Sequence, residues 1–173
     1  MKKRTTMLAL LLATGAGTCL QAQEKLTQFK VRDAITVRTP IMNDSINPKG
    51  EKYADKDLLK TPVVLDLADA PFQVLSTDTA GVLSFPKVEK DHSIYLLETS
   101  LRAERFMTGK LKVTSPARWE IFINGESKMS KENAEDSISG ASTREVNLRL
   151  EPEADYEITI KLLSGSKDKA VPT

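Results

Sequence analysis

Apolar residues recur in this chain in short bursts roughly ten residues apart, the spacing of strands separated by turns. From Thr61 onward the bursts are Val63-Val64-Leu65-Asp66-Leu67, Pro71-Phe72-Gln73-Val74-Leu75, Gly81-Val82-Leu83-Ser84-Phe85 and Ile94 to Leu101. Strict alternation follows, with Met107, Gly109, Leu111 and Val113, then Trp119, Ile121 and Ile123, then Val146, Leu148 and Leu150, and last Tyr156, Ile158, Ile160 and Leu162. In an extended strand the side chains at i, i+2 and i+4 share one face. Each run therefore presents one apolar and one polar face, and the set predicts an all-β fold, an antiparallel β-sandwich. Asn124-Gly125 directly after Ile123 predicts a tight hairpin, because both central residues of such a turn take positive φ. Lys131 to Ser139 is the one internal helix candidate, and it is too polar to bury a face, so it reads as a loop or a single turn. Around twenty large apolar side chains lie between Val63 and Leu162, each worth roughly 1.5–3 kcal/mol when buried. That suffices for a core without disulfides or metal.

The flanks differ. Phe29-Lys30-Val31-Arg32 and Ile35-Thr36-Val37-Arg38 alternate and read as a first strand. Thr39 to Lys60 is polar, carries Pro40, Pro48 and Gly50, and offers only Lys52 to Leu59 as a short helix. At the far end, Ser164 to Thr173 has the small, charged, proline-containing composition of a linker. At the near end, Lys2-Lys3-Arg4 precedes the apolar run Met7 to Ala13, and Leu20-Gln21-Ala22 supplies a small residue at a cleavage point. This is the pattern of a secretory signal peptide, and its apolar run is far shorter than the ~20 residues that span a bilayer. Cys19 raises the alternative of a lipoprotein, but Thr18 stands where Gly or Ala is usual and Ala16 where Leu is typical, so cleavage after Ala22 is the expectation. The layout predicted is a signal peptide at 1–22, a loosely ordered lead-in at 23–60, a β-sandwich domain at 61–164 and a linker-like tail at 165–173, in an exported protein of the periplasm or the extracellular space.

Composition sharpens this. The 173 residues include 25 Lys+Arg and 24 Asp+Glu, with one His, one Cys and one Trp. Removal of residues 1–22 takes three basic residues and no acidic ones, leaving 151 residues at a formal charge of −2. Such a length fits one domain plus tails. The balance gives no basic face for nucleic acid. A single His and a single Cys argue against a protein-only zinc site, and no cofactor motif occurs. Cleavage after Ala22 would discard Cys19, leaving a secreted chain held by its core alone.

Catalytic motifs are absent: no Gly-x-Ser-x-Gly, Gly-x-Gly-x-x-Gly, Cys-x-x-Cys or His-Glu-x-x-His occurs. His92 is the one histidine available to a hydrolytic triad, and it sits in the charged turn Glu89-Lys90-Asp91-His92-Ser93, where a solvated turn residue is the simpler reading. Catalytic carboxylates need a cleft, and a sandwich of this size offers loops instead. Aromatic residues serve as sugar platforms when exposed beside polar groups, and Trp119, Tyr95, Tyr156 and Tyr53 are the candidates. Trp119 shares its face with Ile121 and Ile123, and Tyr156 with Ile158 and Ile160, which assigns both to the core. The opposite face of the Trp119 strand presents Arg118, Glu120 and Phe122, so Arg118, Phe122 and Asn124 form the candidate ligand surface. Asp44-Ser45-Ile46, Asp78-Thr79-Ala80 and Asp136-Ser137-Ile138 repeat one pattern of Asp, hydroxyl residue, apolar residue. It resembles the acceptor motif for general O-glycosylation of secreted proteins in some Gram-negative bacteria, which would place sugars on Ser45, Thr79 and Ser137. The alternative is polar turn chemistry, with Asp and Ser capping backbone amides.

Arg105 to Pro116, followed by Trp119-Glu120-Ile121-Phe122-Ile123-Asn124-Gly125-Glu126, resembles a galactose-binding-type jelly roll. Val146 to Lys161 resembles its closing hairpin. Such a domain after a signal peptide is similar to the N-terminal accessory domain of secreted bacterial prolyl-oligopeptidase-like serine peptidases, in which a β-propeller and an α/β-hydrolase domain follow. The resemblance covers about Thr61 to Ser164, and it carries over no catalytic residue. It implies a non-catalytic accessory or interaction module, with a downstream catalytic domain of the same polypeptide as its partner. The rival expectation is a stand-alone carbohydrate- or protein-binding protein of the periplasm or cell surface.

Overall fold

The computed structural model describes residues 5–14, 23–24, 26–32, 35–36, 50, 55–60, 71–86, 93–135 and 140–164. In chain order the elements are β1 (Thr5–Thr14), β2 (Gln23–Glu24), β3 (Gln28–Arg32), β4 (Ile35–Thr36), the short helix α1 (Asp55–Leu59), β5 (Phe72–Ser76), β6 (Val82–Pro86), β7 (Ser93–Arg102), β8 (Met107–Thr114), β9 (Arg118–Ile123), β10 (Glu126–Lys131), β11 (Thr143–Leu150) and β12 (Asp155–Ser164). They form two antiparallel sheets. The first runs β11-β8-β1-β2, with β6 also paired to β1. The second runs β10-β9-β12-β7-β3-β5, with β4 also paired to β7.

The alternation read from the sequence sets which side chains meet. In β9, Trp119, Ile121 and Ile123 are buried while Arg118, Glu120 and Phe122 are half-buried on the other face. In β11, Val146, Leu148 and Leu150 are buried between exposed Glu145, Asn147 and Arg149. One apolar cluster joins Leu83, Leu111, Val113 and Leu148 of the first sheet to Phe29, Leu97, Trp119, Ile121 and Ile160 of the second. Two antiparallel sheets sharing one core make the sandwich that the pattern predicts.

Two strands depart from simple alternation. In β7 every residue from Ser93 to Glu98 is buried, and in β12 every residue from Ile158 to Leu163. Their outer faces are covered as well. Helix α1 packs against β9 and β12, and its Leu59 is buried, as are Ile94, Leu96 and Leu163 on that side.

Asn124 and Gly125 turn the β9–β10 hairpin with φ of 50° and 77°. A register shift between Ser127 and Met129 follows in β10. At the end of that strand the buried Lys131 Nζ donates to the carbonyls of Ser115 (2.8 Å), Pro116 and Ala117 (both 3.3 Å), which ties down the β8–β9 corner. Val63–Leu67, residues 136–139 and the tail from 165 onward lie outside the described residues.

Candidate binding face of the second sheet

The outer face of the second sheet is built from cross-strand rows that the register fixes. Val74, Lys30, Glu98, Thr159 and Phe122 form one row across β5, β3, β7, β12 and β9. In the next row toward the hairpin end, Ser76 faces Gln28 and Ser100 faces Glu157. These rows border an open groove of about 600 Å³ whose lining includes Gln28, Lys30, Val74, Ser100, Arg102 and Glu157.

The floor of the groove is ionic and closed off. Arg32 Nε donates to Glu98 Oε1 at 2.8 Å and Arg32 Nη2 to Glu98 Oε2 at 3.1 Å, with both side chains buried. The bidentate fork holds Glu98 in one orientation. At the mouth, Arg102 reaches Glu153 at 2.7 Å and Asp155 at 3.4 Å in solvent. On the β5 side Phe72 and Val74 are 48% and 56% exposed, and Lys30 lies 5.1 Å from the Phe72 ring centroid. With their partners at the floor and mouth, three cations (Arg32, Lys30 and Arg102) face four carboxylates (Glu98, Glu157, Glu153 and Asp155), so the groove carries no positive field that would select a polyanion. It suits a neutral polar ligand, with an exposed aromatic and aliphatic rim for its apolar faces.

The three residues selected from the sequence lie on this sheet but are not gathered into one site. Phe122 is half-buried in the Lys30–Glu98 row, three strand spacings from Lys30, roughly 14 Å. Asn124 sits at the groove's end and is engaged in the turn: its backbone N–H donates to the Glu157 carbonyl at 2.9 Å, and its Oδ1 accepts from the Glu157 N–H at 2.8 Å. It therefore positions the strand that presents Glu157. Arg118 is at the other end of β9, where its Nε donates to the Glu132 carbonyl at 3.1 Å and anchors the chain after β10.

Lys30, Ser100, Arg102 and Glu157 were not selectable from the chain. Each is simply the polar member of an alternating strand, and nothing local says that β3, β7 and β12 are neighbours.

Of the hydroxyls in the repeated Asp-hydroxyl-apolar pattern, Thr79 lies within the described residues; Ser45 and Ser137 lie outside them, as do His92, Tyr53 and Cys19. Thr79 is exposed in the β5–β6 connection. Asp78 Oδ1 accepts from the N–H groups of Ala80 (2.8 Å) and Val82 (2.9 Å), and Gly81 takes φ 82°. The aspartate shapes the turn and leaves Thr79 at its tip.

Another ionic cluster escaped the sequence. Lys131 Nζ lies 2.8 Å from Glu135 Oε2, and both Glu135 oxygens accept from the Ser142 N–H. Burial pushes the Glu135 carboxyl up, but the hydrogen bonds from Lys131 and Ser142 outweigh it and hold it below its usual range. Burial pushes the Lys161 ammonium down, partly offset by Glu120 across the strand pair at 3.9 Å.

Comparison with models of protein families, with curated proteins and with solved structures finds no match to this chain. No group of three or more His, Cys, Asp or Glu residues suited to a metal ion occurs among the described residues, and no helix there is long and apolar enough to cross a membrane.

Proposed function

We propose that the protein is an exported, non-catalytic interaction module, the N-terminal part of a larger exported hydrolase of the peptidase class, and that it meets its ligand through the groove on the second sheet. The observation that carries the binding role is the groove itself: a polar surface whose charges are largely paired, beside exposed Phe72 and Val74. Interaction sites differ from surrounding surface in such exposed apolar and aromatic anchors next to oriented polar groups. Of the residues that resemble a galactose-binding-type domain, the Asn124-Gly125 hairpin between β9 and β10 supports the accessory-domain reading, whereas Val146 to Lys161 is not a closing hairpin, because β11 and β12 lie in different sheets. Export is supported by the basic, apolar and small-residue order of residues 1–22, and glycans on Ser45, Thr79 and Ser137 by the repeated pattern and the exposure of Thr79.

The second reading is a stand-alone binding protein for carbohydrate or protein in the periplasm or at the cell surface. The paired charges of the groove favour it, since sugar hydroxyls and peptide backbone both suit such a lining. Intact mass of the native secreted species separates the two. A chain starting at Gln23, extending past Thr173 and carrying hexose increments is the expected result; a mass ending at Thr173 favours the stand-alone protein. The groove is tested by titrating neutral oligosaccharides and extended peptides into the wild type and into Ser100→Trp, whose indole fills the groove. Loss of at least about tenfold in affinity is expected, and unchanged binding in the variant would rule the groove out.

A further inference from the structure

The groove's lining is not the set of alternate residues that one face of a strand presents. It takes in consecutive residues on both sides, 26–30 along β3 and its lead-in and 98–102 along β7. Successive side chains of a strand point to opposite faces, so the groove runs between the two strands and not over them. The pairing shows why. β3 pairs with β5 along all five of its residues, and the Thr27 carbonyl before it still accepts from the Thr77 N–H at 2.9 Å. With β7 it pairs only at Lys30–Glu98 and Val31–Leu97. β3 therefore keeps to β5 and parts from β7, and the sheet forks beyond the Lys30–Glu98 pair. β7 meanwhile stays paired with β12 through Arg102. In an antiparallel strand every second residue points its N–H and C=O to one neighbour and the rest to the other. Half of the main-chain groups of Thr99–Arg102 thus face the fork, where no strand among the described residues pairs with them.

We infer that the groove's ligand is an extended, uncharged polypeptide segment of a partner protein, whose main chain hydrogen-bonds to the β7 edge inside the fork. The inference rests on the groove being the binding face. A free strand edge is the template for such addition. The side chains around it leave a glycan little to hold. Glu98 is committed to Arg32, and Arg102 to Glu153 and Asp155. Phe29, the aromatic residue of the lining, is 1% exposed and offers no stacking face. Lys30 and Glu157 remain, one charge of each sign, so the segment needs no net charge. The fork also sets a side-chain pattern. Leu26, Phe29 and Leu101 belong to the apolar core and border the fork on one face, while Gln28, Ser100 and Glu157 border it on the other. An occupant with apolar and small polar residues in alternation satisfies both faces.

The probes are blocked hexapeptides in which Ser alternates with Ala, Val or Leu, titrated into the full chain beside neutral oligosaccharides. Saturable binding of a peptide of this set is expected. N-methylation of every second peptide nitrogen is expected to weaken it at least about tenfold in one of the two alternations, because the methyl groups remove ladder donors and leave the side chains unchanged. Bound peptide is also expected to slow amide hydrogen exchange at every second residue of Thr99–Arg102. Failure of every peptide to bind, binding indifferent to both alternations, or no such protection overturns the inference. Binding of an oligosaccharide alone, abolished in Ser100→Trp, keeps the groove and overturns the polypeptide class. Peptide binding unchanged in Ser100→Trp overturns the groove reading, and the inference with it. A concentration-dependent dimer that the peptide dissociates makes a second copy the occupant and overturns the partner assignment.

Discussion

Arg32 and Glu98 show what the covered face of the second sheet asks of a charged side chain. Both are buried and joined by two hydrogen bonds, so removing either leaves an uncompensated charge. Glu98→Ala is expected to cost about 3–5 kcal/mol in denaturant unfolding, whereas Arg32→Met combined with Glu98→Leu recovers most of that loss. Glu135 gives the pH signature. Its carboxyl titrates below the ordinary 4.5 in the folded chain, so its contribution is complete above that pH and disappears as pH falls through the folded value. As pH falls from neutrality through the lowered folded value, the stability gap between wild type and Glu135→Gln is therefore expected to narrow, as urea midpoints measure. The core positions were legible at this scale because alternation fixes a face: Trp119, fully buried, is where its run with Ile121 and Ile123 puts it. Lys131 was not. A lysine argues for solvent, and its burial depends on three carbonyls at the β8–β9 corner that no spacing along the chain encodes.

Among elements, the β9–β10 hairpin is the one with the clearest local cause. A methyl group at Gly125 would meet nothing within 4 Å, so only its φ of 77° resists substitution. Gly125→Ala is expected to cost about 1–2 kcal/mol by thermal unfolding without altering the core, the left-handed penalty alone. Asn-Gly named the turn in advance, and Asn124 adds its clasp on Glu157. The return strand β10 carries one large apolar residue, Met129, and was visible only as what a hairpin must have after its turn. β5 was read from its apolar run, but its place at the sheet edge, which leaves Phe72 and Val74 exposed, follows from pairing with β3 more than forty residues earlier in the chain.

For the whole molecule, the fold class was legible and the order of strands was not. Each alternating run states that it needs a partner and which face is apolar, while the choice of partner is made by side chains distant in sequence. The groove inherits that limit, being formed where β3, β5, β7 and β12 meet.

The order of strands also sets a timetable. β12 lies between β7 and β9 in the second sheet, so the middle of that sheet cannot close until the last described residues have been synthesised. β3, made early, waits for β7 some sixty residues later, and β1 waits for β8 about a hundred residues later. Nearly every stabilising pairing is thus long in sequence, the situation in which chain closure is slow. Refolding from urea is expected on the time scale of milliseconds to seconds, as stopped-flow tryptophan fluorescence from Trp119 would record, and a chain stopped at Leu150 is expected not to fold. A newly made chain therefore keeps most of its strands unpaired until β12 exists, and threads through a narrow passage more readily than a protein that folds as it emerges.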